Sequence, residues 1–269
     1  MRRVHLLAAA VAMLAIAACT KQAPPRDPGS IAEPWHVHVV QAGEFPARIA
    51  WRYGVLVDDL LAANRLASGS DLSPGQRLVI PGVLAPPPAP SEGTAPVEPP
   101  WFQPRSTWTA AEIDLGNIDP MGTPFRITVH HTAMPGDTWM APRELLQRIE
   151  TEHRRPGRGK PAWACIGYHY LIDRAGTVWE GRPLQYQGAH AGDREKNRGN
   201  IGVCLFGNFE DRPVPEAQLA ALRRVLDRLR AQHRIPRTQI LGHKEAFPNH
   251  TACPGRFLEP HVTAYRNAR

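Results

Sequence analysis

Residues 82–105, "GVLAPPPAPSEGTAPVEPPWFQPR", hold eight prolines and no apolar periodicity. Proline fixes φ and lacks a backbone N–H, so neither a helix nor a central strand can run through this stretch. The chain must fold as separate units on either side of it, joined by an extended linker with polyproline II character. Residues 36–81 form a compact segment before it, and residues 106–269 carry regular patterns and every candidate for chemistry after it. A length of 269 residues suits one full-sized domain plus a small one.

The N-terminus bears on compartment. "MRRVHLLAAAVAMLAIAAC" places Arg2 and Arg3 before an apolar run that ends at Ala18. The pattern predicts a secretory signal peptide over 1–18, too short for a membrane span. Its end, Ile16 to Cys19, resembles a bacterial lipobox, which implies cleavage before Cys19 and acylation of its thiol. Residues 19–35 are a polar, Pro-rich tether. The expectation is an exported lipoprotein of the cell envelope, anchored to the outer membrane and facing the periplasm. Cys165, Cys204 and Cys253 then remain, an odd number, so at least one lies outside any intramolecular disulfide. Cys165 and Cys204 read as buried thiols, with a disulfide between them as the alternative. The net charge of +7 and pI near 9.6 suit an acidic polymer as well as nucleic acid. No aromatic-basic RNA-binding signature or helix-turn-helix pattern is present, so nucleic acid is not expected as a partner.

The small unit reads strand, helix, helix, strand. "HVHVV" alternates, "FPARIAWRYG" and "VDDLLAANRL" have helical spacing, and "GQRLVIP" closes the unit as a short strand. The run "VVQAGEFPARIAWRYGVLVDDLLAANRL…LSPGQRLVIP" resembles the LysM family over its whole length. That resemblance implies a βααβ fold and binding of N-acetylglucosamine-containing glycans such as peptidoglycan. "GEFPARIA" stands where the family usually has Gly-Asp-Thr-Leu, which implies weaker binding by the adjoining loop.

In the large unit "FRITVHHT" reads as a strand and "PRELLQRIETEHRR" as an amphipathic helix with Leu145, Leu146 and Ile149 inward. "IGYHYLIDRAGTVWEGR" reads as a hairpin around Arg174-Ala175-Gly176, and "GNIGVCLFGNF" as a strand buried on both faces. "PEAQLAALRRVLDRLRAQHRI" is the strongest helix, with Leu219, Leu222, Val225, Leu226 and Leu229 as its inner stripe. His153 and His233 fall at helix ends and read as surface residues. The class is α/β, with a mixed central sheet flanked by helices.

"GHKEAFPNHTACPG" (242–255) gathers two histidines and a cysteine in fourteen positions. A catalytic zinc takes three protein ligands and an open position. His243 and Cys253 can reach one ion from a loop of this length, and a third donor is needed from a core strand. "VHHT" is such a place. Its two histidines point to opposite faces, so one of them ligates. His131 reads as a supporting or core histidine, and His169 alternates away from Tyr168. The basic loop "HRRPGRGK" (153–160) is either a solvated turn or a contact for stem-peptide carboxylates.

Taken in order, "ITVHHTA", "IGYHYLIDRAGTVWEGR", "GAHAG", "NIGVCLFGNF" and "GHKEAFPNHTACPG" resemble the zinc amidases of the amidase-2 and peptidoglycan-recognition-protein superfamily, in its phage-lysozyme-like branch. The resemblance implies cleavage of the amide between N-acetylmuramic acid and L-alanine. It implies one Zn2+ per chain on His130, His243 and Cys253. Tyr168 matches the catalytic tyrosine, Thr251 the position beside the metal, and His190 a pocket histidine, all three carried as catalytic. The partners implied are peptidoglycan at both units and the membrane through the lipid anchor, with a monomeric chain. Two other readings remain: a non-catalytic peptidoglycan-recognition or tethering lipoprotein, and an anhydromuramyl-type amidase of wall recycling. Cys253 as a nucleophile with His243 as base would leave His130 and Tyr168 unexplained.

Overall fold

The computed structural model describes residues 35–67, 72–83, 101–134, 137, 139–157, 161–248 and 251–268. The signal peptide, Cys19, nearly all of the tether, most of the Pro-rich stretch, residues 158–160 of the basic loop and residues 249–250 lie outside these.

The small module is βααβ. Strand β1 (Val37–Val39), helix α1 (Pro46–Tyr53), helix α2 (Val57–Ala63) and strand β2 (Arg77–Val79) follow one another, with β1 and β2 antiparallel. Pro46 opens α1, where its missing N–H costs nothing, and Gly54 closes it at φ 69°. Val40, Ile49, Ala50, Leu60, Leu78 and Ile80 form the module's own core. Tyr53 stands beside a polar cluster in which His38 Nε2 meets Glu44 Oε2 at 2.7 Å and Arg52 Nη1 meets Glu44 Oε1 at 2.5 Å. Glu44 is thereby held down to about 2 against its own burial, chiefly by the bond from His38.

The large unit is built on a six-stranded sheet. In chain order it contains β3 (Phe102–Gln103), β4 (Arg126–His131), α3 (Pro142–Arg154), β5 (Tyr170–Ile172), β6 (Val178–Glu180), α4 (Arg194–Asn197), β7 (Asn200–Leu205), α5 (Glu216–His233), β8 (Ile240–Gly242), α6 (His243–Ala246) and α7 (Glu259–Asn267). The sheet order is β3-β6-β5-β7-β4-β8. Only β5 and β6 pair antiparallel; the other neighbours are parallel. This matches the mixed α/β class expected from the sequence. Phe102 and Gln103, read as linker from the sequence, instead pair with Val178 and Trp179 as the edge strand. Two residues sufficed for that pairing, too few to leave a periodic signal.

The helices divide between the two faces. Leu219, Leu222, Val225, Leu226 and Leu229 of α5 and Val262 of α7 cover Ile127, Val129, Ile201, Val203, Leu205 and Ile172. On the other face Leu145, Leu146 and Ile149 of α3 cover Leu171, Trp179, Cys204 and Phe206. The period of two along β4 therefore sends Ile127 and Val129 to the α5 face and Thr128 and His130 to the α3 face. Gln218 locks α5 to the sheet, its side-chain amide donating to the carbonyls of Ile172 and Phe206 at 3.0 Å each. The C-terminal end of β4 is thus a rigid platform beside open loops, the usual place for chemistry in such sheets.

Candidate metal and catalytic site

His130 sits at the end of β4, opposite Cys204 of β7 and 1% exposed. His243 is the first residue of α6, directly after β8, which pairs with β4. Glu245 accepts from Gly242 N at 2.9 Å and is gripped by Arg266 of α7 at 2.9 and 2.7 Å, so the start of α6 is pinned from two sides. Cys253 returns on the loop after α6, where its carbonyl accepts from Lys244 N at 2.8 Å. One donor atom from each of His130, His243 and Cys253 falls within 4.8 Å of the others. Cys253 Sγ lies 3.7 Å from His130 Nδ1, and the His130 and His243 rings are 4.5 Å apart.

A hydrogen-bond relay sets which nitrogen of His130 faces this cluster. His190 Nε2 is 3.0 Å from the Asn200 carbonyl, which can only accept, so His190 Nε2 carries the proton and its Nδ1 is an acceptor. His130 Nε2 lies 3.0 Å from that Nδ1 and must therefore donate to it. The lone pair of His130 Nδ1 is left facing Cys253. His190 was expected as a catalytic residue. The structure places it behind His130, buried and on the side away from Cys253, where it orients the His130 ring. It fits there because Gly188 and Gly202 flank it: a Cβ on either would meet His190 Cδ2 at 2.5 Å.

The same burial that orders these groups works against charge on them. His130 is held well below its ordinary value by burial, with His190 and His243 adding to it. Burial pushes the Cys253 thiol up to about 12, although His131 N donates to its sulfur at 3.4 Å. Burial of both groups works against the imidazolium–thiolate pair a cysteine nucleophile needs. A divalent cation among the three donors would remove that difficulty, since a bound metal favours neutral imidazole and thiolate. Two imidazoles and one sulfur suit zinc.

Tyr168 lies two residues before β5, its ring 5.2 Å from that of His130. Burial holds the phenol well above its ordinary value, with the Cys204 and Cys253 thiols beside it raising it further, so it stays protonated and can donate. Its backbone is fixed by Arg182 N, which donates to the Tyr168 carbonyl at 2.8 Å. Thr251 Oγ1 accepts from Cys253 N at 3.0 Å and so shapes the turn that presents the cysteine. The other histidines separate by role. His131 faces the α5 side and accepts from Phe209 N at 3.2 Å through Nδ1. His169 bridges Gly202 N and the Tyr186 carbonyl at 2.9 and 3.0 Å.

His153 corrects the sequence reading. It is half-buried rather than exposed. Its Nδ1 accepts from Gly167 N at 3.0 Å, and its ring packs 4.4 Å from Trp163 and 5.6 Å from Tyr168. Burial brings it down to about 4. Its partner Gly167 lies fourteen positions on, beyond the basic loop, so a helix-end rule alone reads it as solvent. His233 is likewise brought down to about 4 by burial. Cys165 and Cys204 are buried free thiols, as expected.

The comparisons with known proteins agree with this geometry. Residues 121–256, more than half of the chain, match the family model described as N-acetylmuramoyl-L-alanine amidase, and residues 38–81 match the LysM domain. The chain is 31% identical over 169 residues to peptidoglycan-recognition protein SD of Drosophila melanogaster, covering 61% of this chain and 84% of that protein. It is 34% identical over 136 residues to the endolysin of Enterobacteria phage K11, covering 49% of this chain and 80% of the endolysin. Among solved structures it resembles the N-acetylmuramoyl-L-alanine amidase LysC from Clostridium intestinale URNW at a TM-score of 0.50 and 27% identity, over 62% of this chain and 98% of that one. With a mixed sheet and a His-His-Cys cluster gathered at the end of β4, the chain belongs to the N-acetylmuramoyl-L-alanine amidases and carries a LysM domain ahead of the amidase fold.

Proposed function

We propose that this amidase hydrolyses the bond between N-acetylmuramic acid and L-alanine with one zinc ion held by His130, His243 and Cys253. The observation that carries the reading is the convergence of those three donors within 4.8 Å. Zinc bound there would supply Lewis acidity to water and to the scissile carbonyl at neutral pH. The chain's own groups do the rest. His190 presents the lone pair of His130 Nδ1 by taking the proton of Nε2. Thr251 holds the Cys253 turn. The Tyr168 hydroxyl, kept protonated by burial, donates to the oxygen that gains charge as the amide carbon becomes tetrahedral. A donor of this kind contributes on the order of 3 kcal/mol to the barrier.

The cysteine ligand supports the phage-lysozyme-like branch over the anhydromuramyl type, which uses Asp as its third ligand. Retention of all three donors and Tyr168 supports catalysis over recognition alone. The LysM module is proposed to hold glycan of the same polymer, and the Cys19 lipobox to place the enzyme at the outer membrane facing the periplasm.

Metal analysis of the purified chain tests the centre. One zinc per chain is expected, and Cys253→Ala should lose both metal and amide hydrolysis. A Cys253→Ala protein with full metal content would overturn the assignment.

A further inference from the structure

Helix α1 of the LysM module has two apolar faces. Ile49 and Ala50 face the module's own core, whereas Phe45 and Trp51 belong to the core of the amidase sheet. Trp51 is 1% exposed. Its ring stacks on Tyr170 of β5 at 5.2 Å with 20° between planes. Trp101 meets it edge-on at 5.8 Å and Phe102 at 5.7 Å. The guanidinium of Arg228, on α5, covers the ring at 4.6 Å. Ion pairs surround this seat: Arg48 with Glu180 at 3.8 Å, and Arg234 with Asp58 at 3.3 Å and Asp59 at 3.1 Å.

A tryptophan on the outer face of a small module would be a sugar platform if it were open. This one is closed by Tyr170 and Arg228 of the amidase unit, by Phe102 of its edge strand and by Trp101 where the linker meets that strand, so its ligand is the amidase itself. A seat of this kind fixes both separation and direction, which a Pro-rich linker alone does not. We infer that the LysM module is a fixed arm of the amidase, seated through Trp51 on Tyr170, so that the Trp51 seat and not the linker sets how glycan is held relative to the catalytic centre. The glycan half of this statement rests on the LysM reading given above.

Three variants of the full chain test it: Trp51→Ser, the charge reversal Asp58→Arg with Asp59→Arg, and an insertion of ten Gly and Ser residues within 84–100. Small-angle scattering and hydrolysis of intact sacculi and of a soluble muropeptide are measured for each. Trp51→Ser should enlarge the maximum dimension and lower sacculus hydrolysis at least fivefold. Its soluble turnover should stay within twofold, which also shows that the amidase fold is intact. The charge reversal, at exposed positions that cannot unfold the core, should shift scattering and sacculus hydrolysis the same way by less. The insertion should change neither. Unchanged scattering in Trp51→Ser, or a loss on insertion equal to that of Trp51→Ser, would overturn the seat. Enlarged scattering with undiminished sacculus hydrolysis would instead overturn the proposal through its glycan half.

Discussion

His190 and Tyr168 carry different kinds of work, and single substitutions separate them. Replacing His190 by Ala leaves His130 Nε2 without its acceptor, so the imidazole is free to turn or to change tautomer. Zinc affinity should fall about 10–100-fold, as for other groups that orient a metal ligand, while His190→Gln, which can still accept, should recover part of it. Competition with a chromophoric chelator reads both. Tyr168→Phe removes one donor and keeps the ring against His130. Turnover of a soluble muropeptide should fall roughly a hundredfold with zinc content unchanged. Equal loss of metal in both variants would erase the distinction. That His130, His243 and Cys253 converge was legible in the sequence because their motifs are contiguous with strands and turns. The role of His190 was not, because it depends on a partner sixty positions away and on two glycines that make room for it.

At the scale of elements, β7 shows how backbone and site constrain each other. Gly202 lies in the middle of a fully buried strand, where glycine ordinarily weakens the sheet. The His190 ring occupies the space a side chain would take. Gly202→Ala should therefore cost about 1–3 kcal/mol in denaturant unfolding and displace His190. Helix α5 supplies a pH signature. His233 near its end is lowered from 6.5 to about 4 by burial. The unfolded chain binds the extra proton between those values, so stability is full above about 6.5, falls as pH drops from there toward about 4, and levels off below that. Thermal unfolding at pH 7 and pH 5 should show that loss, and His233→Asn should reduce it by one histidine's share, since His153 and His190 are lowered by burial as well. The long periodic elements, α3, α5 and β7, were legible because burial of one face or both leaves a regular pattern. β3, α4, α6 and α7 were not: the first three are two to four residues long, and α7 is set by Arg266 and Val262 meeting distant partners.

For the whole molecule, the Pro-rich stretch lies between the two family matches but misleads about what that separation means. It suggests a module free to reorient, yet Trp51 is buried in the sheet's core cluster and Arg228 closes over it. The clue was present as an aromatic on the outer face of α1, a feature that periodicity assigns to solvent when the module is read alone. The central claim concerns the centre at β4, β8 and the 243–253 loop, and product analysis tests it most directly. Purified chain is incubated with peptidoglycan, with and without a zinc chelator, and the products are resolved by mass spectrometry. Free stem peptides beginning with L-alanine, together with glycan bearing unsubstituted N-acetylmuramic acid, should form in the untreated sample and vanish on chelation. Restoring zinc should return them. The same products at the same rate from chelated, metal-free protein would contradict the account.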